Sequence, residues 1–240
     1  MSELRFILGL PKRVEVAGDI YPIKIKDYDL FSEHSFILQV NKNIFTEQLH
    51  EIPLLDLLVF GLEEMKEEIN PIRSLETVFS LVLREKVTYI SDEFSHAFIS
   101  ESGSVINSQN YDEVREVIME NEIIFEPKVF KNKMVQEWAN KVMKAKAKNN
   151  KITLEEQISV VQIYTGNSYE EIGKYTIYQL YASFNRIAKL ISYETTVNFK
   201  VAGADIQLED YSEKINLHKN PYDSLFVENE KLGDINKALT

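Results

Sequence analysis

The chain is predicted to be α+β and predominantly helical, with a β-hairpin-containing N-terminal half and an all-α C-terminal half. Three observations lead there. Alternating runs flank Gly18 and Gly103 in the first half. Apolar residues recur at three- and four-residue spacing through most of the remainder. Beyond Ile152, Thr153 with Glu156 and Ser168 with Glu171 repeat the spacing of a helix capping box.

The opening "RVEVAGDIYPIKIKD" holds two short runs, Val14-Glu15-Val16 and Tyr21-Pro22-Ile23-Lys24-Ile25, around Gly18-Asp19. Glycine supplies the positive φ that a tight turn needs, so a hairpin is expected. Pro22 has no N–H to donate to a ladder, which marks its strand as an edge and a candidate place for a partner to add. In "TEQLHEIPLLDLLVFGLEEMKEEI", Leu54, Leu55, Leu58, Leu62, Met65 and Ile69 share one helical face, with the glutamate-rich run 63–68 opposite. Asn70-Pro71 is expected to stop that helix, and a new one to begin near Ser74 or Thr77. "KVTYIS" and "HAFISESGSVINSQN" predict strands with a turn at Glu101-Ser102-Gly103, followed by an amphipathic helix with Tyr111, Val114, Val117 and Ile118 inward.

The organisation expected is an α+β domain over 1–127, a lysine-rich helical connector over 128–152, a helical hairpin over 153–202, and an extended or disordered tail over 203–240. The tail is polar and has few apolar anchors, so a partner is expected to order it.

Charge narrows the class. With 27 basic and 38 acidic residues the net charge is −11, which disfavours general nucleic-acid binding, since phosphate neutralisation supplies most non-specific affinity. The stretch 131–151 has seven lysines and one glutamate, a local excess of six, leaving the remainder near −17. There are no cysteines, hence no disulfide framework and no thiolate chemistry. No run of about 18 apolar residues occurs, so neither a membrane span nor a signal peptide is expected.

No catalytic set can be named. His34, His50, His96 and His218 lack metal-ligand spacing, and Asp27 with Asp29 has no third carboxylate at useful distance in the sequence. No phosphate-loop, dinucleotide or nucleophile-elbow pattern occurs. The chain is therefore expected to be no enzyme and to carry no cofactor or metal.

"SYEEIGKYTIYQLYASFNRIAK" has the outline of a DNA-reading helix-turn-helix over 168–191. Against that, Ile177, Tyr178, Leu180, Tyr181, Phe184, Ile187, Leu190 and Ile191 cover two faces of the second helix. The alternative is a helical hairpin packed on a core or a partner. The candidate partner-binding residues are Pro22, Trp138, Lys141, Lys144, Lys148, Tyr178, Tyr181, Phe184 and Arg186.

Three stretches taken together resemble a loosely defined group of tail-module proteins encoded by phages and prophages of Gram-positive bacteria. They are "LPKRVEVAGDIYPIKIKDYDLF", "SVINSQNYDEVREVIMEN" and "ITLEEQISVVQIYTGNSYEEIGKYTIYQLYASFNRI". The resemblance implies a non-enzymatic role, either as a tail assembly chaperone or as a tail or baseplate component. It implies other phage tail or assembly proteins as partners, with self-association in addition, and residence in the host cytoplasm during assembly or in the virion tail. It carries over no functional residues.

Overall fold

The computed structural model describes residues 4–61, 70–92, 96–130, 132–149 and 152–225. Helix α1 (Leu4–Leu8) opens the chain and ends at Gly9, whose φ of 62° few other residues tolerate. Strands β1 (Lys12–Val14) and β2 (Gly18–Ile20) pair antiparallel, Arg13 opposite Asp19. This hairpin sits earlier than expected: the predicted strand Tyr21–Ile25 is not one, and Gly18 lies inside β2 rather than at the turn. Gly18 is required all the same. Its φ is 86°, and a Cβ there would sit 2.9 Å from the Ser104 hydroxyl.

Helix α2 (Tyr28–His34) follows, then tight 3-10 turns and the single turn α3 (Leu54–Asp56), which widens into a π turn over Leu57–Gly61. Leu54, Leu55, Leu57, Leu58 and Val59 are all buried, so this run is enclosed on several sides rather than lying one-faced on a surface. The rest of the expected helix, including Leu62, Met65, Ile69 and the 63–68 run, lies outside the described residues.

Asn70-Pro71 begins a helix. Asn70 accepts a hydrogen bond from Arg73 N–H at 3.0 Å, and Pro71 occupies the first turn, where a missing N–H has no consequence. Helix α4 (Pro71–Leu83) then buries Leu75, Val78, Phe79 and Val82. The helix thus begins ahead of the expected start at Ser74 or Thr77, because Asn70 and Pro71 supply the cap and the first turn.

Strands β3 (Val87–Ser91), β4 (His96–Ser100) and β5 (Val105–Ile106) form an antiparallel sheet in that order. Helix α5 (Tyr111–Asn121) packs Tyr111, Val114, Val117 and Ile118 into the same core. Phe79 meets Phe98 edge-on, with ring centroids 5.1 Å apart. Helix α6 (Lys133–Asn149) carries the lysine-rich stretch.

Helices α7 (Leu154–Thr165), α8 (Tyr169–Ile172) and α9 (Ile177–Val201) follow. Each begins with a formed capping box: Thr153 with Glu156, Ser168 with Glu171, and Thr176 with Gln179. Val161, Ile172, Leu180 and Ile187 make a second apolar cluster. The α+β class, with its sheets in the N-terminal half and helices in the C-terminal half, is as predicted.

The two halves are joined by residues 21–27. Tyr21 N–H donates to Val82 C=O (2.9 Å), Ile23 N–H to the Glu122 carboxyl (2.8 Å), Ile25 N–H to Tyr175 C=O (2.9 Å) and Lys26 N–H to Gly173 C=O (3.1 Å). Glu122 is 2% exposed, and its Oε2 has no hydrogen-bond partner. Burial pushes its pKa up to about 8, outweighing the Ile23 N–H and the Lys24 charge, both of which favour the ionised form. Between an ordinary glutamate's 4.5 and about 8, the folded chain therefore holds a proton that the unfolded chain has released. The contribution of this group to stability falls as pH rises through that window. Glu122→Gln keeps an acceptor for Ile23 and cannot ionise. Unfolding free energies from urea titrations at acid and mildly alkaline pH should then differ less for the variant than for the parent, by on the order of a few kcal/mol.

Candidate partner-binding surface

Helix α9 is longer than the helices available to cover it. Its first turns are enclosed: Ile177, Tyr178 and Leu180 are buried. Tyr178 stacks on Phe6 of α1 (5.1 Å between centroids) and on His218 (5.4 Å), and Gln179 donates to Ile7 C=O at 2.8 Å. Tyr178 is thus an internal joint, 4% exposed, rather than a surface for a partner. Burial raises the pKa of Tyr181, which is half-buried.

Further along, one side of α9 is strapped by the segment after it. Arg186 donates to the Tyr211 and Glu213 carbonyls, Lys189 pairs with Glu213, and Tyr193 packs on Tyr211 at 5.0 Å. His218 Nε2 lies 2.9 Å from Glu120 C=O, and Lys128 pairs with Asp223 at 2.8 Å. Residues 204–220 have no regular secondary structure, and a 3-10 turn follows at Pro221–Leu225. The expectation that a foreign partner orders this tail is corrected as far as residue 225: it docks on its own chain, because α5, α9 and Lys128 offer it acceptors and charges. Residues 226–240 lie outside the described residues.

The other side of α9 is an open groove. Phe184, Ile187, Ile191, Thr195 and Phe199 line it together with Val160 of α7, around a cavity of about 520 Å³. Their spacing of three and four residues makes one stripe on one face, about 22 Å long at 1.5 Å per residue. Ile191 is 48% and Phe199 57% exposed. Phe184 belongs both to this stripe and to the second apolar cluster. The sequence reading named Phe184 but did not pick out Thr195 or Phe199; the spacing continuing past Ile191 was the available signal.

The remaining predicted residues are scattered. Pro22 is buried and lies in the joining segment, outside any strand, so no free edge exists there: Ile25 and Lys26 already donate to Tyr175 and Gly173. Trp138, 46% exposed, and the exposed Lys141 and Lys144 lie on α6. Lys148 is in the same helix, its side chain outside what the structure describes. Arg186, a candidate partner-binding residue, and Lys189, both within the helix-turn-helix outline, are engaged by the strap. The histidines each have a separate local neighbour: Ser74 for His34, Phe45 C=O for His50, Asp56 for His96 and Glu120 C=O for His218. Among the described residues no helix is long and apolar enough to cross a membrane.

The fold and the groove define a mixed α+β protein whose helical C-terminal unit presents an apolar seam. The chain belongs to the YomV family. It is 32% identical over 225 residues, 91% of this chain and 92% of the relative, to the SPbeta prophage-derived uncharacterized protein YomV of Bacillus subtilis (strain 168). Residues 145–216 match the family model for the YomV second domain, a span from the end of α6 through α9 to the strap. No solved structure matches the chain. The relative's description supports a phage-type origin for this protein.

The strap gives a direct expectation. Arg186→Glu combined with Lys189→Glu sets like charges against Glu213. Limited proteolysis should then cut within residues 204–216 about tenfold faster, with the helical circular dichroism signal unchanged.

Proposed function

We propose that the protein acts by protein–protein contact in building a phage particle, as a tail assembly chaperone or as a tail or baseplate component. The observation that carries this reading is the open stripe on α9. A continuous apolar seam several turns long is the shape that an amphipathic partner helix lays its apolar face into. The occupant we assign is such a helix from another protein of the same phage. The prophage origin of the B. subtilis relative supports the setting, and the resemblance of three stretches to tail-module proteins supports the role. Lysines on α6, against an acidic remainder, would steer the encounter and its orientation.

Quantitative mass spectrometry of purified particles against whole lysate tests the role. Stoichiometric retention identifies a tail or baseplate component; abundance in lysate with absence from particles identifies a chaperone that departs. A lysate in which particle yield is the same with and without the protein sinks both. For the groove itself, Ile191→Asp with Phe199→Asp alters only exposed positions, so the unfolding free energy from urea titration should move by less than about 0.5 kcal/mol. Particle yield should fall at least about tenfold, since two buried apolar contacts are worth about that much or more. Unchanged yield from a folded variant removes the groove from the mechanism.

A further inference from the structure

A second concavity, beside the joining segment, has the opposite character to the groove. Lys24, Lys26, Arg84 and Lys174 line a cleft of about 430 Å³ with Asp27 as the one carboxylate among the lining residues and Ser80 as a polar wall. Four cations thus converge in a chain whose net charge is −11. They come from three separate places: the joining segment, the end of α4 and the turn after α8.

The fold holds them there at a cost. Ile25 and Lys26 are tied through their N–H groups to Tyr175 and Gly173, which draws the lysine pair toward Lys174. Arg84 caps α4 in the left-handed region, φ 59°, a conformation unfavourable for a side-chain-bearing residue, and its guanidinium lies 4.0 Å above the Tyr21 ring. Burial, and then the Arg84 charge, lower the Lys24 pKa; the pull of Glu122 opposes them. That opposing pull is weak at neutral pH, where Glu122 keeps its proton. Among the described residues, Lys24, Lys26 and Arg84 have no carboxylate within 4.0 Å, while Lys174 pairs outward with Glu170 at 3.1 Å.

Besides Asp27 and Glu170, the C-terminal end of α4 opposes an anion here, since a helix C-terminus carries about half a negative charge. Two of its last carbonyls, those of Ser80 and Val82, are already bonded to N–H groups of Arg84, Glu85 and Tyr21. Four cations, less Asp27 and the Glu170 that pairs with Lys174, leave about two positive charges, which outweigh it.

We propose that this cleft binds a small phosphorylated molecule carrying two or more negative charges. A single carboxylate matches one of these cations, whereas a diphosphate matches most of them. The volume falls in the range of about 300–1,000 Å³ typical of small-molecule clefts. The assignment is independent of the α9 groove, which shares no lining residue with this cleft.

The test is calorimetric titration of the full chain with inorganic pyrophosphate at low salt. Saturable binding with a dissociation constant below about 1 mM is expected, with a matching rise in the thermal midpoint. Arg84→Gly removes the guanidinium and relieves the left-handed backbone, so it weakens binding about tenfold without loss of fold. Lys24→Gln does the same while keeping the aliphatic stem. The double variant Lys200→Gln with Lys219→Gln, which removes two distant exposed charges, leaves binding unchanged. Absence of saturable binding overturns the proposal, as does equal weakening by the distant pair. Tighter binding of duplex DNA than of pyrophosphate, abolished by the same cleft variants, overturns the small-molecule assignment in favour of nucleic acid.

Discussion

Four backbone N–H groups in residues 21–27 point alternately to different parts of the molecule, and the arrangement of everything else depends on them. Val82 C=O, the Glu122 carboxyl, and the carbonyls of Tyr175 and Gly173 are their acceptors. One short segment, ending in a 3-10 turn at Ile25–Asp27, thereby fixes the end of α4, the end of α5 and the turn before α9 relative to one another. A buried N–H left without an acceptor costs about 1–3 kcal/mol, so these bonds matter less for what they add than for what their loss would expose. Glu122 is retained in the interior for this reason: its carboxyl supplies the acceptor that Ile23 would otherwise lack.

The same segment sets the chemistry of two surfaces. By tying Thr176 and Tyr175 into place, it orients α9 so that its early turns meet α1 while its later turns run past α7. The length of α9 beyond α7 is what leaves Ile191 and Phe199 exposed. By tying Lys26 to Gly173, it also gathers cations from remote positions into one cleft. An apolar seam and a cationic pocket therefore come from a single set of hydrogen bonds, on a chain whose average charge suggests neither.

The strap shows how a polar tail can be ordered without an apolar core of its own. Residues 204–220 form no helix or strand, yet Arg186, Lys189, Tyr193 and His218 hold them to α9, α1 and α5. Individually such exposed ion pairs contribute at most about 1 kcal/mol. The buried ring of Tyr178, clustered with Phe6 and His218, adds an apolar anchor that composition alone does not reveal.

Local rules were enough to read much of this protein from its residues. The capping boxes at Thr153 and Ser168, the turn at Gly103, the strands of the three-stranded sheet and the inward face of α5 all follow from interactions within a few residues, where side-chain size and hydrogen-bonding capacity decide the outcome. Where such rules point two ways, tertiary contacts chose. Asn70-Pro71 can end one helix or start the next, and the described structure has it starting α4. Tyr21–Ile25 alternates like a strand, but its N–H groups found acceptors in α5 and in the turn before α9 instead of in a β ladder. The groove was half legible, because its stripe has helical spacing; which face of α9 stays uncovered depends on where α7 and the strap lie. The cationic cleft was not legible at all. Lys24, Arg84 and Lys174 are far apart along the chain, and only long-range packing could bring their charges together.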